Sequence, residues 1–278
     1  MKKHINFGIG LTMVVATLWA GGVCAADKES IVLDGSTTVG PIAKAFAEYY
    51  MSKNPGVNIT VGESGSGNGA TSLVNGSCQI ASMSRFMKNE EFKAAIEKGI
   101  FPVAHVVALD GLAVVVHPSN PVQALTLEQV RKVYIGEIKN WKDLGGPEMP
   151  IVVITRDTNS GTFESFESLV MNKQKITETA ETVGSNGQAR QRVLSTPAAI
   201  GYVGLSFTEG LKALKIEGVE PTAETVKSGR YPIARPLYFF TNGYPKLGSR
   251  LYDFTTLHLT EKGQEIIESK GFVPVTNY

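Results

Sequence analysis

Three times along this chain a short apolar stretch runs into a cluster of glycines and small hydroxyl residues, and each cluster leads into a helical pattern. The first cluster is Asp34-Gly35-Ser36-Thr37-Thr38-Val39-Gly40, ahead of a helix signalled by Pro41 and by Ile42, Phe46, Tyr49 and Tyr50. The second is Glu63-Ser64-Gly65-Ser66-Gly67-Asn68-Gly69, ahead of a short helix over 70–74. The third is Arg156-Asp157-Thr158-Asn159-Ser160-Gly161-Thr162, ahead of Phe163, Phe166 and Val170. A helix start carries backbone N–H groups without intrahelical acceptors and the positive end of the helix dipole. Glycine lets a ligand approach the backbone closely, and Ser and Thr hydroxyls add donors that rotate to suit it. Such loops lie at the carboxyl ends of strands in α/β sheets, where ligands bind, and their chemistry suits an oxyanion. One loop of this kind is ordinarily just a helix cap. Three, two with a Ser-Gly pair and one led by an arginine, point to a shared anion site.

The rest of the chain is compatible with that frame. Ile31–Leu33, Val57–Val61 and Gln79–Met83 read as strands, with a helix over Met87–Lys98, so strand and helix alternate and predict an α/β sheet with parallel strands. Two long extended runs, Val103–His117 and Pro232–Thr241, lie far apart in sequence. They are expected to run between two α/β lobes. The first lobe would comprise 26–109 and 238–278, and the second the inserted stretch 110–237. The second lobe has its own alternation: Leu127–Tyr134 helical, Ile151–Ile154 strand, Phe163–Val170 helical, Ile200–Val203 strand.

Residues 1–25 read as a signal peptide: Lys2 and Lys3, an apolar stretch from Ile5 to Trp19, then small residues ending in Ala25, the expected cut site. Cys24 does not sit in a lipoprotein pattern. With the leader removed, the balance of 27 basic and 26 acidic residues becomes 25 against 26. That balance excludes a basic nucleic-acid-binding surface. Only Cys78 would remain, as a small buried residue, so no internal disulfide can form. Stability must come from the core.

Two arginines are candidate charge partners for an anion, because the rigid guanidinium fork suits a tetrahedral oxyanion. Arg156 ends a strand and leads the third loop, and Arg85 follows Ser82-Met83-Ser84 at the end of another strand. A fourth loop, Gly184-Ser185-Asn186-Gly187, either lines a cleft or is a plain cap. Enzyme signatures are absent from the sequence: His105, His117 and His258 stand in no metal-binding spacing. No serine loop spells the Gly-x-Ser-x-Gly elbow, and no lysine completes a phosphate-binding P-loop.

At these loops the sequence resembles PstS-type phosphate-binding proteins, the secreted receptors of ATP-driven phosphate importers. The matching pieces are Gly35–Thr38, Gly65–Gly69, Ala81–Arg85 and Ser160–Thr162. They are supported by Leu125–Gln129, Asn140–Leu144 and Ala199–Val203. The resemblance implies a type II periplasmic-binding-protein fold, two α/β lobes joined by two crossing strands that close on the ligand. It implies a periplasmic monomer that captures inorganic phosphate and delivers it to a membrane ABC permease, with no cofactor, no catalysis and no nucleic-acid partner. The family's anion contacts fall on Thr37, Thr38, Ser66, Arg156, Ser160, Gly161 and Thr162, with Ser36, Ser84 and Arg85 as further candidates. Some members carry an aspartate at the position of Arg85 that can accept the proton of hydrogen phosphate and so reject sulfate. Arginine cannot accept, which leaves a backbone carbonyl, Glu63 or Asp157 for that role. The alternatives are a receptor for another tetrahedral anion (sulfate, molybdate or tungstate) and a secreted phosphatase using a loop serine, which lacks an evident histidine or metal partner.

Overall fold

Along the chain, the elements run β1 (Glu29–Gly35), α1 (Gly40–Lys53), β2 (Val57–Val61), α2 (Ser66–Val74), β3 (Ile80–Met83), α3 (Asn89–Glu97) and the long β4 (Pro102–Val116). There follow β5 (Ala124–Leu125), α4 (Leu127–Tyr134), β6 (Val152–Arg156), α5 (Gly161–Leu169), β7 (Glu181–Val183), α6 (Asn186–Leu194) and β8 (Ala199–Gly204). The chain continues through β9 (Lys212–Ala213), β10 (Lys215–Ile216), α7 (Ala223–Lys227), β11 (Ala234–Asn242), α8 (Arg250–Thr255) and α9 (Glu261–Ser269). The computed structural model describes Met1 and residues 29–276, so the expected signal peptide lies outside the described residues. Among them, no helix is long and apolar enough to cross a membrane.

The main sheet has the strand order β2-β1-β3-β11-β4-β8-β6-β7, with β9 alongside β4. β1 pairs in parallel with β2 and β3, and β6 in parallel with β8 and β7. The pairs β11–β3, β11–β4 and β4–β8 are antiparallel. The sheet is therefore mixed, not wholly parallel as the strand–helix alternation predicts. The antiparallel pairs all involve β4 or β11, the two long runs.

These two strands explain the two-lobed architecture. The first two-thirds of β4 pair with β11, from Pro102↔Asn242 to Gly111↔Ala234, while Leu112–Val116 pair with β8. Val107 and Ala108 pack in one core with Ile31, Leu33, Phe46 and Phe254. Leu112, Val114 and Val116 pack in another, around Tyr134, Trp141, Phe166 and Tyr202. Just ahead of β11, Ile233 belongs to the second core, and Leu237 and Phe239 of β11 belong to the first. Each long strand thus leaves one core and enters the other within about one turn of chain. β11 begins at Ala234, inside the stretch that the sequence reading assigned to the second lobe.

Helix starts, not strand positions, depart most from expectation. α2 begins at Ser66, so the glycine-rich loop is itself the first turn of the helix. α5 likewise begins at Gly161, with Ser160 as its cap. Glycine lowers helix propensity by about 1 kcal/mol per residue, which hides such a start from a pattern reading; tertiary packing overrides it here.

Candidate functional site

Where the two lobes meet, residues of all three loops converge around a narrow gap. Ser36, Thr37, Thr38, Gly65, Ser66 and Ser84 line it from the first lobe, and Arg156, Ser160, Gly161 and Thr162 from the second. Pockets for organic ligands run to roughly 300–1,000 Å³; this gap is far smaller, which leaves a small ion as the kind of ligand it suits.

Local sequence explains how each wall is built. Ser36 folds back under its own loop, its Oγ accepting from the amides of Thr38 (3.1 Å) and Val39 (3.3 Å). The Asp34 carboxylate accepts from Ser64 and Ser72, 2.7 Å each, and so ties the second loop and α2 to the end of β1. Gly65 has φ +104°, a conformation that favours glycine, and a Cβ there would stand 3.0 Å from the Asn159 carbonyl across the cleft. Ser160 caps α5, its Oγ accepting from Phe163 N at 3.2 Å. That leaves the amides of Gly161 and Thr162, the first two of the helix, with no intrahelical acceptor. α5 is held in place by Phe166, whose ring stacks on Tyr202 of β8 at 4.0 Å. Tyr202 in turn accepts from Arg156 N (3.1 Å) and pairs with Thr155 Oγ1 (2.8 Å). One aromatic stack therefore sets both the arginine and the helix start.

Arg156 dominates the electrostatics. It is 2 % exposed, and its fork is fixed by bonds from Nε to Val183 O (3.2 Å) and from Nη2 to Gly184 O (2.9 Å). Its Nη1 is buried with no hydrogen-bond partner among the described residues. Burial lowers its pKa to about 10. It forms no ion pair among the described residues, whereas the other buried arginines do: Arg235 binds Asp110 at 2.9 Å, and Arg85 binds Glu91 at 2.6 Å. A buried guanidinium without an ion-pair partner, set beside hydroxyls and helix amides, favours negative charge next to it.

Nine of the ten side chains or glycines expected from sequence line the cavity; Arg85 does not. The sequence reading placed Arg85 at the anion, and this is corrected. Its Nη1 and Nη2 grip Glu91 at 2.8 and 2.6 Å, and its Nε lies 2.5 Å from Glu164 of α5. Two acidic residues, 6 and 79 positions along the chain, outcompete the cleft for it. Lys88 reaches the same Glu164 at 3.1 Å, so this cluster straps the first lobe to the second beside the site. The two carboxylates considered as proton acceptors are also engaged elsewhere. Glu63 pairs with Lys44, and Asp157 Oδ1 accepts from Asn159 N at 2.9 Å.

Two residues not counted as contacts stand directly behind the lining. Asn186 Nδ2 donates to Thr38 Oγ1 (2.9 Å) and Thr37 Oγ1 (3.3 Å). Arg235 Nη2 donates to Thr162 Oγ1 at 3.0 Å while Asp110 holds its guanidinium. Thr38 and Thr162, from opposite lobes, meet at 2.9 Å. The fourth loop was the signal for Asn186. The signal for Arg235 was an arginine inside an otherwise apolar strand, a position that burial permits only with a partner.

Comparison with known proteins agrees with this geometry. A family model described as a PBP superfamily domain matches residues 23–256. The phosphate-binding protein PstS of Borreliella burgdorferi is 34% identical over 264 residues, 90% of this chain and 91% of that protein. A phosphate ABC transporter substrate-binding protein with bound phosphate, from Clostridium perfringens, superimposes with a TM-score of 0.83 at 33% identity. That alignment covers 89% of this chain and all of that one. An ABC-type phosphate transport receptor from Vibrio cholerae superimposes with a TM-score of 0.73 at 31% identity, over 87% and 99% of the two chains.

Proposed function

We propose, since the chain belongs to the PstS-type phosphate-binding proteins of the periplasmic-binding-protein superfamily, that it captures inorganic phosphate between its lobes and delivers it to the permease of an ABC importer. The observation that carries this reading is Arg156: a buried guanidinium whose Nη1 has no partner and which forms no ion pair among the described residues, at the wall of a gap far smaller than an organic-ligand pocket. Three helix starts, of α1, α2 and α5, converge with it. Each carries about half a positive charge, so together with the guanidinium they offset a dianion.

Capture proceeds by closure. Phosphate meets the loops of one lobe, loses water, and is then enclosed by the other. The full donor set exists only in the closed form, so binding shifts the population toward it. The anion contacts are Ser36, Thr37, Thr38, Ser66, Ser84, Arg156, Ser160, Gly161 and Thr162, and the lobes divide along β4 and β11. The protein works outside the cytoplasm, after removal of the leader near Ala25, as a periplasmic monomer, and the closed form is what the permease recognises.

Calorimetric titration of phosphate-stripped protein should give tight, one-to-one phosphate binding at neutral pH. Absence of phosphate binding overturns the reading. The strap formed by Arg85 gives a second expectation. Arg85→Ala should weaken phosphate binding by the value of a charged hydrogen bond, about 1.5–3 kcal/mol, because the closed form loses its tie to Glu164. In a Glu164→Ala background the same change should cost little more. A full, additive loss there would mean that Arg85 acts on the anion directly.

A further inference from the structure

We propose that Ser84 is the residue by which the site separates a protonated oxyanion from an unprotonated one, hydrogen phosphate from sulfate; this rests on the phosphate reading above. Hydrogen phosphate brings one O–H that must be accepted, whereas sulfate brings only acceptors. A site built wholly of donors leaves that hydrogen without a partner. A hydroxyl has one hydrogen and two lone pairs, and an N–H that donates into its oxygen turns its own hydrogen elsewhere.

The hydrogen bonds of the lining sort the hydroxyls on this criterion. Ser36 Oγ receives Thr38 N and Val39 N. Thr37 Oγ1 receives Arg156 Nη2 at 3.4 Å and Asn186 Nδ2 at 3.3 Å. Thr38 Oγ1 receives Asn186 Nδ2, and Thr162 Oγ1 receives Arg235 Nη2. Ser160 Oγ receives Phe163 N, and Ser66 Oγ receives Ser84 N at 3.1 Å. Ser84 Oγ differs: among the described residues it receives no N–H, and its one neighbour within hydrogen-bond range is Ser66 Oγ at 3.4 Å. The lining contains no carboxylate and no histidine. Three nearby carbonyls each already accept one hydrogen bond: Ser84 O from Ser165 Oγ, Gly161 O from Arg235, and Ser160 O from Glu164 N.

Ser84 is therefore the lining hydroxyl that takes no N–H, and its Oγ can accept a hydrogen from the anion while donating to Ser66 Oγ. With hydrogen phosphate bound, the P–O–H donates to Ser84 Oγ, Ser84 donates to Ser66 Oγ, and the Ser66 hydrogen faces the anion. With sulfate bound, Ser84 must turn its hydrogen toward the anion and break that chain. The residue is 1 % exposed, and a Cβ at Gly161 would stand 2.6 Å from its Oγ, so it has little room to re-orient. A hydroxyl still can rotate, so the discrimination is of tens-fold order and not the near-absolute exclusion a fixed carboxylate gives.

The test titrates the wild-type protein, Ser84→Ala and Ser84→Cys with phosphate and with sulfate at pH 8, where hydrogen phosphate is the main species. The wild type should prefer phosphate. Ser84→Ala should lose roughly ten- to hundredfold in phosphate affinity, with sulfate affinity unchanged or improved, so that the preference collapses. Ser84→Cys keeps a side chain near that volume and offers a poor acceptor, so it should follow alanine if the alanine variant folds badly. A parallel loss of both anions, or an unchanged phosphate affinity, overturns the assignment to Ser84 and leaves the phosphate reading standing. A wild type that binds no phosphate at all overturns the phosphate reading itself, and a wild type that binds both anions equally overturns the discriminator alone.

Discussion

Replacing Arg156 with alanine should remove tight phosphate binding while leaving the fold in place. The loss expected for one partner of a buried, charge-assisted contact is about 2–5 kcal/mol, roughly thirty- to several-thousandfold in affinity, read by calorimetry. No ion pair among the described residues is broken, because Arg156 forms none with them, and its Nη1 has no partner there. What the fold loses is its bonds to Val183 O and Gly184 O, at the edge of the second lobe. Phosphate should also stop raising the melting temperature, since that stabilisation follows binding to the folded state. Arg156→Lys should fall between, keeping a charge but not the planar fork. Retained affinity in the alanine variant would remove Arg156 from the site and, with it, the main support for an anion receptor.

Gly161→Val should produce the second large effect, through closure and not through charge. A Cβ at this position would collide with Ser66 Oγ and Ser84 Oγ, both from the opposite lobe. Gly161 is the first residue of α5 and not one of the glycines with positive φ, so a side chain there is compatible with the helix and the collision is confined to the seam. Overpacking of this kind costs about 1–3 kcal/mol, here charged to the closed form alone. Phosphate affinity should drop roughly five- to 150-fold while the melting temperature without phosphate stays close to that of the wild type. Small-angle scattering should show the compaction on adding phosphate reduced. Normal binding with normal compaction would mean that the third loop does not meet the first lobe around the anion.

These two residues were legible before any coordinates because their signals are local. An arginine closing an apolar strand, four residues before a Ser-Gly-Thr helix start, carries its own geometry: the strand aims it, and the helix start supplies amides beside it. The same holds for Ser36–Thr38 and Ser66. Arg85 has an equally suggestive local setting and a different role, because Glu91 and Glu164 capture its guanidinium. Arg235 shows the converse. Ile233-Ala234-Arg235-Pro236 signals only an arginine that needs a partner, and it is the two crossing strands that bring it beside Asp110 and under Thr162. The mixed sheet was missed for a related reason. Strand direction depends on which strands pair, and β4 and β11 are more than a hundred residues apart.

Backbone-level chemistry was thus decided by sequence alone: which segments form strands, and which loops present amides and hydroxyls ahead of a helix, all governed by interactions within a few residues; the first turns of α2 and α5 were set by packing. The partners of long or rotatable side chains were decided only by the tertiary structure. The capture of Arg85 by an acidic pair, the support of Thr38 and Thr162 by Asn186 and Arg235, and the Ser84 oxygen that takes no N–H each depend on groups that meet only when two lobes close. A guanidinium or a hydroxyl carries its donors on freely turning bonds, and its direction is set by whichever partner the fold brings within reach.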